Sequence, residues 1–330
     1  MIEGKNIFIT GGTGFIGTSL AGRLVRDNQV VIYDNLSRNS LKDTIFQGHP
    51  NIRLIEGDVL DYAKLMSSMQ GANIVIHLAA IAGIDTVIKS PIKTMKVNLL
   101  GTHNVLEATS RLDSIERVIE FSTSEVFGSY AFRSEENDTT SLGAVGNARW
   151  TYAVSKLAAE HLTYSYYSEK KMPTLSIRPF NVYGPGQVGE GAIHHFIVNA
   201  LNNQDLVING DGDQIRSWCY IDDFINGILL SMEKPEAIGE CFNIGNPRGT
   251  ITIHGLALAV LKATYSKSKI VFREKDHADV ELRIPNIDKA KRILGYQAEV
   301  DLEEGLRRTA DWYYGQIFNH RASSLDSIRN

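Results

Sequence analysis

The segment Thr10-Gly11-Gly12-Thr13-Gly14-Phe15-Ile16-Gly17 constrains the fold of this chain more than any other. It follows a short apolar run, residues 5–10, that reads as a strand. It opens a stretch, residues 14–27, in which Ile16, Leu20, Leu24 and Val25 recur near helical spacing. A strand that turns through glycines into a helix presents bare backbone N–H groups at the helix N-terminus. A phosphate can approach them there, and side chains would block it. Gly17 also lets the helix close on the sheet.

The same alternation continues downstream. Residues 29–33, 51–56, 73–77, 117–122 and 174–178 read as strands, and the spans from Pro91 to about Arg111 and from Trp150 to Lys171 as helices. Strands separated by helices of this length imply an α/β fold, a doubly wound parallel sheet of Rossmann type over residues 1–178. After Pro179 glycine and proline cluster at Gly184-Pro185-Gly186 and around Gly189–Gly191, and Gly210-Asp211-Gly212-Asp213 is rich in turn residues. Residues 179–321 are expected to form mostly a smaller mixed α/β substrate-binding domain, with some segments returning to the sheet. Residues 322–330 are expected to be a polar tail.

Bulk properties exclude several classes. A net charge of −4 over 330 residues gives no electrostatic footprint for nucleic acid. No apolar run approaches the ~20 residues of a membrane span, and the N-terminus lacks a signal-peptide plan. Cys219 and Cys241 are far apart and read as reduced thiols, the pattern of a cytoplasmic protein. His194-His195 invites a metal reading, but neighbours on a helix point about 100° apart and cannot readily share an ion. No metal site is expected.

Asp34 closes the second strand, about 20 residues after Gly14. A carboxylate there can accept both hydroxyls of an adenosine ribose and would repel a 2′-phosphate. NAD is therefore favoured over NADP, although Arg38 lies nearby.

Tyr152 and Lys156 are four residues apart, on one face of the long helix. A tyrosine with a pKa of about 10 is a poor base, and lowering it by ~3 units takes roughly 4 kcal/mol of differential interaction. An ammonium one turn away and a cationic nicotinamide can supply that. The phenolate then takes a hydroxyl proton while hydride leaves for NAD. Strand five ends in Ser122-Thr123-Ser124-Glu125-Val126-Phe127-Gly128, where catalytic groups of a parallel sheet are expected. Its hydroxyls and carboxylate also suit a helix N-cap with an acidic first turn.

Together these segments resemble the extended short-chain dehydrogenase/reductase family, the NAD-dependent nucleotide-sugar epimerases, dehydratases and decarboxylases. The resemblance covers nearly the whole chain. It includes residues 10–17, Asp34, Gly57-Asp58-Val59, His77-Leu78-Ala79-Ala80, Asn98, the 122–128 loop, Tyr152 with Lys156 and residues 178–185. Farther on it includes Gly210-Asp211-Gly212, residues 216–223 and Arg283-Ile284-Pro285.

The resemblance implies that Gly11, Gly14, Phe15, Ile16, Gly17, Asp34, Asn35, Leu78 and Ser122 contribute to the cofactor site. It implies that Asp58 and Val59 hold the adenine, that Ala79 and Ala80 flank the cofactor, and that Asn98 sits near the nicotinamide. Thr123 would bond the sugar 4-hydroxyl, Tyr152 would deprotonate it, and Lys156 would also hold the nicotinamide ribose. Asn181, Arg216 and Arg283 would bind the nucleotide diphosphate, and Val207 lies where the base edge is gripped. A homodimer through a four-helix contact is implied as well.

Family members share oxidation of the C4 hydroxyl to a ketone and diverge afterwards. The triplet Thr123-Ser124-Glu125, the segment 91–98 and the segment 216–223 resemble UDP-glucuronate decarboxylases, which is the expected activity. The substrate is then a nucleotide-diphosphate sugar, UDP-linked. A 4-epimerase or a 4,6-dehydratase is the alternative, and a non-catalytic NAD-binding scaffold the remote one. Two departures, Ile81-Ala82-Gly83-Ile84-Asp85 in place of a proline-rich stretch and Gly186-Gln187 in place of an arginine-bearing pair, fall on the substrate side.

Overall fold

The computed structural model describes residues 2–274 and 280–326, side chains at 43 and 318–326 excepted. Its strands in chain order are β1 (Asn6–Thr10), β2 (Gln29–Asp34), β3 (Ile52–Glu56), β4 (Ile74–His77), β5 (Arg117–Phe121), β6 (Tyr130–Ser134), β7 (Thr174–Pro179), β8 (Val182–Tyr183), β9 (Leu206–Asn209), β10 (Ile215–Ser217), β11 (Cys219–Tyr220), β12 (Cys241–Ile244), β13 (Thr250–Thr252), β14 (Ile270–Arg273) and β15 (Leu282–Pro285). Seven of them form one parallel sheet in the order β12-β7-β5-β4-β1-β2-β3. The chain reverses its direction across the sheet at β1, between β2 and β4, and crevices at such reversals hold ligands in sheets of this kind.

The expected strands therefore stand, most within a residue of their anticipated bounds. The sheet has one strand more: β12, from beyond residue 179, pairs with β7. Conversely β6, from the first half, leaves the main sheet and pairs with β15 in a second sheet, β13-β10-β15-β6. The first six helices are α1 (Phe15–Leu24), α2 (Tyr62–Ser68), α3 (Ile84–Lys89), α4 (Pro91–Met95), α5 (Gly101–Thr109) and α6 (Thr151–Lys170). A π turn, Lys96–Leu100, joins α4 to α5, so the expected continuous helix after Pro91 carries an extra residue in its middle. The last helix, Leu302–Asp326, runs on into the polar tail expected from residue 322.

Strands of the main sheet are apolar on both faces because helices cover both. On one face Phe8, Val75 and Val118 pack with Leu65, Val105 and Leu106. On the other, Ile9, Ile32 and Ile177 pack with Leu20 and with Phe224, Ile225 and Ile228 from helix Ile221–Glu233. Phe224 is fully buried with its ring 6.2 Å from that of Phe121, so this second core ties the later half of the chain to the sheet. Among the described residues no helix is long and apolar enough to cross a membrane.

Candidate active site

The three glycines of the loop at Gly11, Gly14 and Gly17 do different things. A Cβ on Gly11 would lie 2.6 Å from the Ala79 nitrogen, and one on Gly17 would lie 2.5 Å from the Gly12 Cα. Both positions are set by close packing. Gly14 begins α1 with extended backbone and no capping side chain, and a Cβ there would meet only the Gly11 carbonyl at 3.4 Å. Its missing side chain leaves the N-terminus of α1 open, and no acidic residue occupies the first turn.

That opening faces a cavity of about 440 Å³. Gly11, Gly14, Phe15, Ile16, Gly17, Asp34, Asn35, Asp58, Val59, Leu78, Ala79, Ala80 and Tyr152 all line it. The Asp34 carboxylate is fixed by backbone, accepting from Thr13 N at 3.0 Å and from Leu36 N at 2.8 Å. Each oxygen keeps a second lone pair for a hydroxyl. The Tyr33 hydroxyl donates to the Asp58 carbonyl at 3.0 Å and so braces the opposite wall. A bare helix N-terminus, a fixed carboxylate about 20 residues on and a tyrosine in one cavity fit a dinucleotide.

Three residues expected at the cofactor are not among those that line the cavity. Asn98, in the π turn, is fully buried. Its side chain accepts from Ile81 N at 2.7 Å and donates to Ile81 O and Ser155 Oγ, both at 3.0 Å. It thus locks the segment after Ala80 against α6 at the position just before Lys156. Ser122 is buried and off the lining. Lys156 is buried, and its Nζ donates to Glu120 Oε1 at 2.8 Å, with side chains only 3% and 1% exposed.

The Tyr152 phenol feels this pairing and its other neighbours. Lys156 and a cationic nicotinamide together are expected to draw the Tyr152 phenol down; in the cofactor-free protein it stands above its ordinary value. Burial is the main cause and the Glu125 carboxylate the second; a hydrogen bond with Thr123 and the charge of Arg283 act the other way, and Glu120 adds to the rise. The Lys156 ammonium is paired with Glu120, whose own carboxylate adds to the rise at Tyr152.

At the end of β5 the N-cap reading holds in part. Thr123 Oγ1 accepts from Glu125 N at 3.2 Å at the start of a short helical turn, and Ser124 is buried in it. Glu125 is gripped by Arg149 through a two-pronged contact, Nη1 at 2.6 Å and Nη2 at 3.2 Å. Arg283 Nη1 is 3.6 Å away from Glu125 Oε1. Neither Arg149 nor Glu120 was singled out from sequence. Arg149 precedes α6 by two positions, in a turn that Asn147 caps through Arg149 N.

The remaining substrate-side residues lie on the second half. Arg216 and Arg283 are register partners on the parallel strands β10 and β15, and both are buried. Arg216 donates to the carbonyls of Ile215 and Val280. Asn181, at a φ of +36°, donates from Nδ2 to Ser217 O at 3.0 Å, tying β8 to β10. Val207 is half-buried on β9, which pairs only with β14. None of these four lines the dinucleotide cavity. His194 Nδ1 is 2.8 Å from the Tyr313 hydroxyl, while His195 is exposed; no metal-binding cluster occurs among the described residues.

Comparison with known proteins agrees with this geometry. A sequence model described as the NAD dependent epimerase/dehydratase family matches residues 7–245. The chain is 34% identical over 320 residues to a UDP-N-acetyl-alpha-D-glucosaminuronate decarboxylase of Bacillus cytotoxicus, covering 94% of this chain and 98% of that one. It is 32% identical to UDP-glucuronic acid decarboxylase 1 of Danio rerio, covering 97% of this chain and 75% of that one. Among solved structures, UDP-glucuronic acid 4-epimerase of Bacillus cereus, in complex with UDP-glucuronic acid and NAD, superposes with a TM-score of 0.87 at 30% identity, covering 94% and 99% of the two chains. The chain belongs to the NAD dependent epimerase/dehydratase family, and NAD is its cofactor.

Proposed function

We propose that the protein decarboxylates a UDP-linked uronic acid through a transient 4-keto sugar. The observation that carries this reading is the cluster beside Tyr152, in which the Glu125 carboxylate lies between the buried guanidiniums of Arg149 and Arg283. Guanidinium is the side chain best matched to a carboxylate or phosphate, so the Arg149 side of this cluster is where an acidic sugar would be recognised and Arg283 is left for the diphosphate. The similarity to decarboxylases of UDP-linked uronic acids supports the same substrate class.

In this reading Asp34 holds the adenosine ribose and the N-terminus of α1 holds the pyrophosphate of NAD. Bound NAD supplies the hydride acceptor for C4 and the donor that later reduces the ketone. Tyr152 takes the 4-hydroxyl proton, and Thr123 orients that hydroxyl. Once C4 is a ketone the C6 carboxylate is a β-keto acid: the C5–C6 bond breaks, CO₂ leaves, and the electron pair passes into the C4 carbonyl as an enolate. Glu125 and Ser124 position the acid and its neighbouring water, and C5 is then protonated. Arg216, Arg283 and Asn181 hold the diphosphate, and the Val207 strand lies along the base.

A 4-epimerase acting on the same kind of substrate is the second reading, favoured by the likeness to the UDP-glucuronic acid 4-epimerase. Mass spectrometry of products separates the two. Incubation of the purified protein with NAD and UDP-glucuronic acid, or its N-acetylated counterpart, is expected to give a product lighter by CO₂. A product of unchanged mass and altered retention would replace decarboxylation with epimerisation.

We further propose a homodimer through α4, α5 and α6. Exposed apolar residues lie on these helices and on the π turn that joins the first two, Ile92 at 74%, Leu100 at 48% and Tyr164 at 58% exposure.

A further inference from the structure

The dinucleotide cavity has a wall that the cofactor assignments leave unexplained. Gln187, Val188 and Glu190 line it, together with Arg38 and Gly83. The three strap residues belong to a segment, residues 184–191, in which four of eight residues are glycine. Three of these have positive φ, Gly184, Gly186 and Gly189. The segment is anchored at its middle: Gly186 O accepts from Ser40 Oγ at 3.1 Å, and Gln187 O accepts from the Tyr313 hydroxyl.

Past that anchor the strap is fastened by one side chain. Glu190 Oε2 accepts from Asp85 N at 2.9 Å and Oε1 from Thr86 Oγ1 at 2.6 Å. The carboxylate thereby caps α3, whose own N-cap, Gly83, offers no side chain. Arg38 Nη2 approaches Glu190 Oε1 to 3.8 Å from the far side of β2 and donates to Ala82 O at 3.4 Å. The neighbouring glycines are shaped to this contact. A Cβ on Gly83 would stand 2.7 Å from Glu190 Oε2, and one on Gly189 would stand 3.3 Å from the Arg38 guanidinium. Three chain segments that follow β2, β4 and β8 therefore meet at one carboxylate, on the rim of the cavity.

We propose that Glu190 is a positioning residue that latches the 184–191 strap across the dinucleotide cavity and slows the exit of NAD. A glycine-rich strap has no rigidity of its own, so its closed position depends on the bonds that end it. The two latch bonds lie at a partly exposed site, and their joint loss corresponds to a release about tenfold faster, which is about 1.4 kcal/mol in total. The inference needs only NAD binding and does not depend on which sugar reaction follows.

The experiment is stopped-flow fluorescence on the full chain. Protein loaded with NADH is chased with excess NAD to read dissociation, and mixed with NADH to read association. Glu190→Ala is expected to release NADH about tenfold faster, with association equal to or faster than that of the wild type. Thr86→Val removes one latch bond from the other side and is expected to raise release about threefold. Removal of a latch speeds exit without slowing entry, whereas damage to the cavity slows entry. Wild-type release rates in both variants, or slower association in Glu190→Ala, would overturn the proposal. If Glu190→Ala does not fold, the Thr86→Val rate decides alone.

Discussion

His77 should make the protein sensitive to mild acid by a calculable amount. It ends β4, directly before the Leu78–Ala80 segment of the cofactor cavity, and is 2% exposed. Its ring bridges two hydroxyls, Thr10 Oγ1 at 2.7 Å from Nδ1 and Thr102 Oγ1 at 3.0 Å from Nε2. Burial, and secondarily the charge of Lys156, lowers its pKa from 6.5 to about 3. The folded state thus keeps this ring neutral where the unfolded chain protonates it. The stability that follows is fully present above the unfolded value and is lost as pH falls from there towards the folded one. One pH unit within that window is worth about 1.4 kcal/mol, so moving from about pH 7 to about pH 5 removes on the order of 2 kcal/mol through this group alone. His77→Gln keeps a donor and an acceptor in the bridge but cannot titrate. Urea unfolding of both proteins at the two pH values isolates the effect, because every other titrating group is common to both. The wild type should lose about 2 kcal/mol more than the variant. Equal losses would refute the claim that His77 is held neutral.

Three further outcomes test the site. Tyr152→Phe should lower turnover by about 10²–10⁴-fold while leaving NAD binding, measured by calorimetry, close to that of the wild type. Glu125→Gln should suppress CO₂ release yet still allow absorbance from NADH to appear on mixing with substrate; unaltered CO₂ release would remove Glu125 from the reaction. Asp34→Ala should weaken NAD far more than NADP. It should also cost the cofactor-free protein roughly 1–3 kcal/mol, because Thr13 N and Leu36 N lose their acceptor. Equal weakening of both nucleotides would count against the ribose contact.

The parts of this site that sequence reveals are those fixed by local backbone. The glycine loop, Asp34 and the one-turn spacing of Tyr152 and Lys156 each follow from a strand end or a helical turn, so residue type and spacing suffice. What sequence hides is pairing between distant elements. Nothing local says that β6 joins β15, or that Glu190 reaches Thr86 over 104 positions. Glu120 did leave a trace. It is the one carboxylate within Arg117–Phe121, a strand buried at every position, where an unpaired charge is too costly to persist. A cation had to be near, and the buried Lys156 supplies it. In the cofactor-free protein burial and Glu125 hold the Tyr152 phenol above its ordinary value, and Thr123 and Arg283 act against them. Thr123 stands at the end of β5, and Arg283 arrives on β15, a strand bonded to the substrate-side sheet. Its charge reaches Tyr152 only when that second sheet is packed against the first, so this part of the tyrosine's surroundings depends on the assembly of both halves of the site.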